Sequence, residues 1–159
     1  QNDEAFAAHF DHTVGMAIIV EDLPERDNAV TLDPNLTDSN DIPAPRIKYR
    51  LSDNSRKMLG HGLTKGKEVM TAAGSLKNIA FGPVRQTGWH LMGTARMGND
   101  PSKSVTNKHG QSHDVKNLFI VDSSIFVTSS GVNPVSTMQA LALYIAENIK
   151  QNLTKLLNE

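Results

Sequence analysis

His90 stands in a setting unlike that of the other five histidines of this sequence. It lies in Gly88-Trp89-His90-Leu91-Met92-Gly93-Thr94-Ala95-Arg96-Met97-Gly98, directly after the only tryptophan. The glycines Gly88, Gly93 and Gly98 let the backbone pass close to a flat group. Imidazole titrates near neutrality, so a histidine there could take the proton of a hydroxyl. The same pattern suits a packed core histidine. The second candidate is Ser129-Ser130-Gly131-Val132-Asn133-Pro134-Val135-Ser136-Thr137, which reads as the start of a helix. A helix N-terminus carries partial positive charge and free N–H groups, so it can hold an anion or a polarised carbonyl. The plainer reading is a well-capped helix whose Asn133 side chain is occupied by its own backbone.

The remaining histidines, His9, His12, His61, His109 and His113, have no Glu-x-x-His partner and the chain has no cysteine. They read as solvated or hydrogen-bonding residues, and no metal site is expected. The absence of cysteine also excludes disulfides and thiol catalysis without identifying a compartment. Arg96 has no evident chemical role, and a structural ion pair is the default expectation.

The elements that must position these residues fall into two characters. Residues 1–12 are polar and read as a frayed lead-in. Val14–Val20 is a short apolar run rich in β-branched residues and predicts a strand, with Ala29–Leu32 as its hairpin partner across the turn at Glu25–Asn28. Asp33–Pro45, with three prolines and three aspartates, predicts a loop. Arg46–Leu51 alternates, with Ile47, Tyr49 and Leu51 on one side, and predicts a half-buried antiparallel strand. Ser52 predicts an N-cap for a helix that turns Met58, Leu59, Leu63, Val69 and Met70 inward and ends near Gly74, although Gly60, Gly62 and Gly66 weaken it. Lys77–Phe81 predicts a further strand.

Later in the chain, Asn117–Val121 is a continuous apolar run and predicts a strand buried on both faces. Asn133 as N-cap and Pro134 at the first helical position open a helix expected to run to about residue 152. Its apolar stripe is Met138, Leu141, Ile145, Ile149 and Leu153. The fold class is therefore α+β: an antiparallel sheet with helices over residues 13–105, then a strand and C-terminal helix over 106–159. A lone parallel-type strand has no sheet to join within these residues. That, with a start at Gln1, leads to the expectation of a piece of a longer protein.

Composition narrows the function classes. The 159 residues include 16 basic and 17 acidic side chains, a formal net charge of −1. Without a basic run there is no electrostatic footprint for nucleic acid. No apolar stretch approaches the roughly 20 residues that span a bilayer. A chain of about this length can bury roughly 70% of its unfolded surface, enough for a real core.

Three motifs in order, HLMGTARMG (90–98), HDVKNLFIVDSSIFVT (113–128) and GVNPVSTMQALALYIAENI (131–149), resemble the C-terminal end of the glucose–methanol–choline (GMC) family of flavin-dependent alcohol oxidoreductases. PRIKYRLSDNSRKML (45–59) is similar to the start of the last substrate-domain helix in bacterial sugar and polyol dehydrogenases of that family. Members begin with a nucleotide-binding unit carrying GxGxxG, and no such motif occurs here. The resemblance thus implies the tail of a substrate domain followed by the strand and helix that return to an FAD domain.

The resemblance further implies oxidation of the CH–OH group of a sugar, polyol or other alcohol by hydride transfer to FAD. His90 falls on the family's catalytic histidine. Asn133 falls on its second position, as a hydrogen-bonding residue that cannot itself take a proton. By the same resemblance Pro134, Thr137 and Asn133 would contact the flavin, and Asp122 with Ser123 would lie near its ribityl–phosphate region. The implied partners are the substrate and the N-terminal FAD-binding part of the same protein, with the electron acceptor left open among a quinone, a cytochrome and oxygen. The 159 residues alone are expected to be inactive. The alternative is a stand-alone, non-catalytic α+β domain that binds or dimerises through a sheet edge.

Overall fold

Among the described residues, helices share the chain with one small antiparallel sheet, in the α+β combination the sequence indicates. The structure, a computed structural model, describes residues 2–84, 88–129 and 131–158. In chain order the elements are α1 (Asn2–His9), β1 (Ala29–Thr37), β2 (Pro43–Lys48), α2 (Asp53–Ala72), a 3-10 turn (Ser123–Ile125) and α3 (Val135–Asn158). None of the described helices is long and apolar enough to cross a membrane.

The sheet departs from the sequence reading. Ala29–Leu32 pairs with Pro45–Lys48, not with Val14–Val20, in the register Val30↔Ile47 and Leu32↔Pro45. Strand continues through part of the stretch expected to be a loop, because acidic side chains satisfy the amides its prolines and turns free. Asp33 accepts from the amides of Asn35 and Leu36 at 2.9 and 3.0 Å, beside the register irregularity between Leu32 and Thr37. Asp38 does the same for Asn40 and Ile42 at the hairpin turn. Prolines are tolerated because each strand has a free edge. The strand expected over Arg46–Leu51 ends at Lys48 and is not half-buried: Ile47 and Tyr49 are 74% and 59% exposed.

Val14–Val20 joins no ladder among the described residues and packs on α2 instead. A Cβ at Gly62 or Gly66 would lie 2.7 or 2.6 Å from the Ile18 side chain. Two of the glycines that weaken α2 as an isolated helix are therefore what lets Ile18 rest on it. Ser52 caps α2 as expected, accepting the Ser55 amide at 3.0 Å, and Gly74 follows its end with a φ of +91°. Met58, Leu59, Leu63 and Met70 are partly covered, whereas Val69 is exposed. Lys77–Phe81 is not a strand, and Ile79 and Phe81 are exposed. The lead-in is helical rather than frayed. Asp3 and Glu4 stand in its first turn, His9 in its last, and the Phe6 and Phe10 rings, one turn apart, lie 5.2 Å from centre to centre.

Asn117–Val121 is also not a strand buried on both faces. Phe119 makes a single antiparallel bridge with Gln111, and Leu118 and Val121 remain exposed. An apolar run states what its side chains require, not which backbone supplies it. The core gathers around α3 instead, where Ile145 is fully buried, with Ile125 and Leu156 beside it in burial. α3 extends past the expected end near residue 152. Its buried stripe continues to Leu156 rather than Leu153, and the buried Gln111 amide donates to the Leu156 carbonyl at 2.6 Å and the Lys116 carbonyl at 2.9 Å. A carbonyl of the last turn is thereby satisfied from outside the helix.

Candidate active site

The stretch carrying His90 is held by main-chain bonds to the 3-10 turn. The amides of Gly93, Ala95 and Met97 donate to the carbonyls of Ser123, Ser124 and Ile125 at 3.3, 2.9 and 2.8 Å. Ser123 Oγ donates back to the Leu91 carbonyl at 2.9 Å. Gly93 has a φ of +84°, and a Cβ there would sit 3.2 Å from the Phe126 carbonyl oxygen. Only glycine suits that close, left-handed passage. Beyond it, Arg96 makes no ion pair among the described residues. Its Nε donates to the Lys103 carbonyl at 2.6 Å and its carbonyl accepts the Val105 amide, closing the 96–105 turn. His113 Nε2 lies 3.0 Å from Ser104 Oγ and 3.2 Å from the Gly98 carbonyl. Ser104 gives its own proton to the Asp100 carbonyl at 2.6 Å, so His113 is the donor to both.

This frame opens a cavity of about 250 Å³ between residues 89–92 and the start of α3. His90, Ser123 and Pro134, three residues singled out in the sequence, line it together. Trp89, Leu91, Val135 and Met138 supply apolar walls that sequence reasoning did not assign to the site. The periodicity of α3 already placed Met138 on its inward stripe. His90 is half-buried, and its ring has no hydrogen-bond partner among the described residues.

The other predicted residues flank the cavity. Asn133 precedes the buried Pro134 and is exposed. The first bond of α3 runs from the Met138 amide to the Pro134 carbonyl at 2.9 Å, so the cap position falls on Pro134 and not on Asn133. The Asn133 side chain accordingly has no hydrogen-bond partner among the described residues. Thr137 sits in the first turn of α3, exposed and outside the cavity lining. Asp122 caps the 3-10 turn by accepting the Ser124 amide at 2.7 Å. Hydrogen bonding from the Ser124 hydroxyl and amide holds the Asp122 carboxyl below the usual carboxylate range. Ser130, part of the predicted helix-start motif, lies outside the described residues.

A half-buried imidazole beside apolar walls and a helix N-terminus is an arrangement able to move a proton next to a site that favours negative charge. The GMC oxidoreductase model for the C-terminal region matches residues 24–142. The chain belongs to the GMC oxidoreductase family. It is 39% identical over 155 residues to the 2-methyl-1,2-propanediol dehydrogenase of Mycolicibacterium austroafricanum, covering 97% of this chain and 28% of that protein. It is 30% identical over 151 residues to the fructose dehydrogenase large subunit of Gluconobacter japonicus, covering 95% of this chain and 28% of that one. Pyridoxine 4-oxidase from Mesorbium loti superposes with a TM-score of 0.61 at 19% identity, over 82% of this chain and 28% of that structure, a likeness of fold. The GMC chain therefore spans a little over a quarter of the length of the relatives it matches. The family comprises flavoprotein oxidoreductases, and its relatives here include dehydrogenases of a diol and of a sugar.

Proposed function

We propose that this chain forms the C-terminal part of an FAD-dependent enzyme that oxidises the CH–OH group of a sugar, polyol or other alcohol, with His90 as the base. The carrying observation is the cavity that sets the unpartnered His90 imidazole against the first turn of α3. The residues present fit a flavin ring. Trp89, Leu91 and Met138 offer apolar surface, and the amides of Val135, Ser136 and Thr137 precede the first intrahelical bond, so they are free to face a ligand. Pro134, Val135 and the main-chain amide of Thr137 would hold the ring, with Ser123 and the Asp122-capped turn shaping the side of the cavity away from α3.

When bound there, FAD supplies the acceptor for the hydride that leaves the carbinol carbon. This chain's own groups do the rest. The unprotonated ring nitrogen of His90 accepts the hydroxyl proton, and the Asn133 amide donates a hydrogen bond to the substrate oxygen, holding it as the carbonyl forms. The N-terminal turn of α3 presents partial positive charge toward the cavity, favouring negative charge that develops there. The relatives named for a diol and for a sugar support a hydroxylated substrate. We further place the remainder of the protein on the exposed apolar face of the hairpin, where Val30, Leu32 and Ile47 are 51%, 68% and 74% exposed.

Anaerobic reduction of the flavin by substrate in the full-length enzyme tests the role of His90. His90→Ala should slow it by roughly 10²–10⁴-fold, the range of a general base. A near-wild-type rate would remove His90 from that role.

A further inference from the structure

Away from the cavity, polar groups of the N-terminal half converge on Asp22. One carboxylate oxygen accepts the Ser55 hydroxyl at 2.8 Å, and the other accepts the Tyr49 hydroxyl. Ser55 is fully buried in the first turn of α2, with Ser52 Oγ 2.9 Å away. Burial, and the Asp22 carboxylate beside it, push the Tyr49 hydroxyl up to about 12, so it remains a donor across the physiological range. Two donors on two different oxygens fix both the place and the orientation of the carboxylate, and with it the backbone just before Asp22.

That backbone is where the C-terminal half rests. A Cβ at Gly131 would lie 3.6 Å from the Ile19 carbonyl oxygen and 3.7 Å from the Glu21 amide nitrogen. Gly131 and Ile18–Glu21 also line one further cavity, of about 600 Å³. Asn133 follows Gly131 by two residues, and its side chain has no partner among the described residues. The place from which that side chain starts is therefore set by the backbone that carries it. We propose that Asp22 is a positioning residue for Asn133, locking residues 19–21 to the start of α2 so that the 131–133 turn presents the Asn133 amide to the substrate oxygen. The inference rests on the reading of Asn133 given above.

The test uses the full-length holoenzyme and the flavin-reduction rate at saturating substrate for Asp22→Ala, Asn133→Ala and the double variant. Asp22→Ala should slow reduction by about tenfold in the wild-type background, yet by less than about twofold when Asn133 is already alanine, because the two act as one unit. An equal loss in both backgrounds, or no loss in either, overturns the proposal, since a merely structural role would act whether or not Asn133 is present. If Asp22→Ala does not yield folded, flavin-loaded protein, Tyr49→Phe removes one donor and keeps the ring. It should slow reduction about threefold with the same dependence on Asn133, and a wild-type rate would overturn the proposal. Asn133→Ala at the wild-type rate would refute the reading of the site itself, and this inference with it.

Discussion

Residues 90–126 and residues 29–48 are both rich in residues that break regular structure, and they resolve that difficulty in opposite ways. In the first region the glycines and hydroxyls are taken up inside the chain. Gly93 turns beneath Phe126, Ser123 binds Leu91, and three successive carbonyls of the 3-10 turn receive the amides of 93, 95 and 97. In the second, the turns are satisfied by Asp33 and Asp38, but the apolar side chains of the paired strands stay exposed. The site region thus carries its own geometry, while the hairpin has its backbone settled and its apolar face without cover in this chain.

The sharpest stability contrast sets Ile145 against Ile47. Ile145→Ala removes a fully buried side chain packed against Gly110 and should cost about 2–5 kcal/mol in denaturant titration. Ile47→Ala should cost under ~0.5 kcal/mol in the 159-residue chain. In the full-length protein it should rise above ~1 kcal/mol, as the proposed covering of that face by the rest of the protein requires. Equally small costs in both would break the comparison. Gly93→Ala should cost about 1–2 kcal/mol from its left-handed backbone alone, and an unchanged midpoint would show that residues 90–126 are less rigid than their bonds imply.

The smallest effect is a dependence on alkaline pH in the N-terminal half. The Tyr49 hydroxyl is raised from the usual 10.0 to about 12, so the folded state favours its neutral form. That contribution is complete below pH 10 and is lost as pH rises toward 12. Ultraviolet titration should show one late-ionising tyrosine that vanishes in Tyr49→Phe. The absence of a late-ionising tyrosine would contradict it.

The sequence was most legible where a residue's need could be met nearby. Ser52 as a cap, the stripe of α3 around Ile145, and the gathering of His90 with Pro134 follow from capping chemistry, helical spacing and family likeness. What failed depended on partners far along the chain or beyond it. Val14–Val20 has the composition of a strand but serves as packing for Gly62 and Gly66. The run at 117–121 makes a single bridge rather than a ladder. Asn133 was displaced from the cap by one residue, because the carbonyl of Pro134 starts α3. The Asp22 cluster carried no sequence signal, since its members come from three separate segments.

The most direct test of the account measures flavin reduction in full-length His90→Ala with and without added imidazole. The rate should fall by roughly 10²–10⁴-fold and be partly restored by imidazole entering the space that the His90 ring leaves. A folded, flavin-loaded variant that reduces its flavin at the wild-type rate would contradict it.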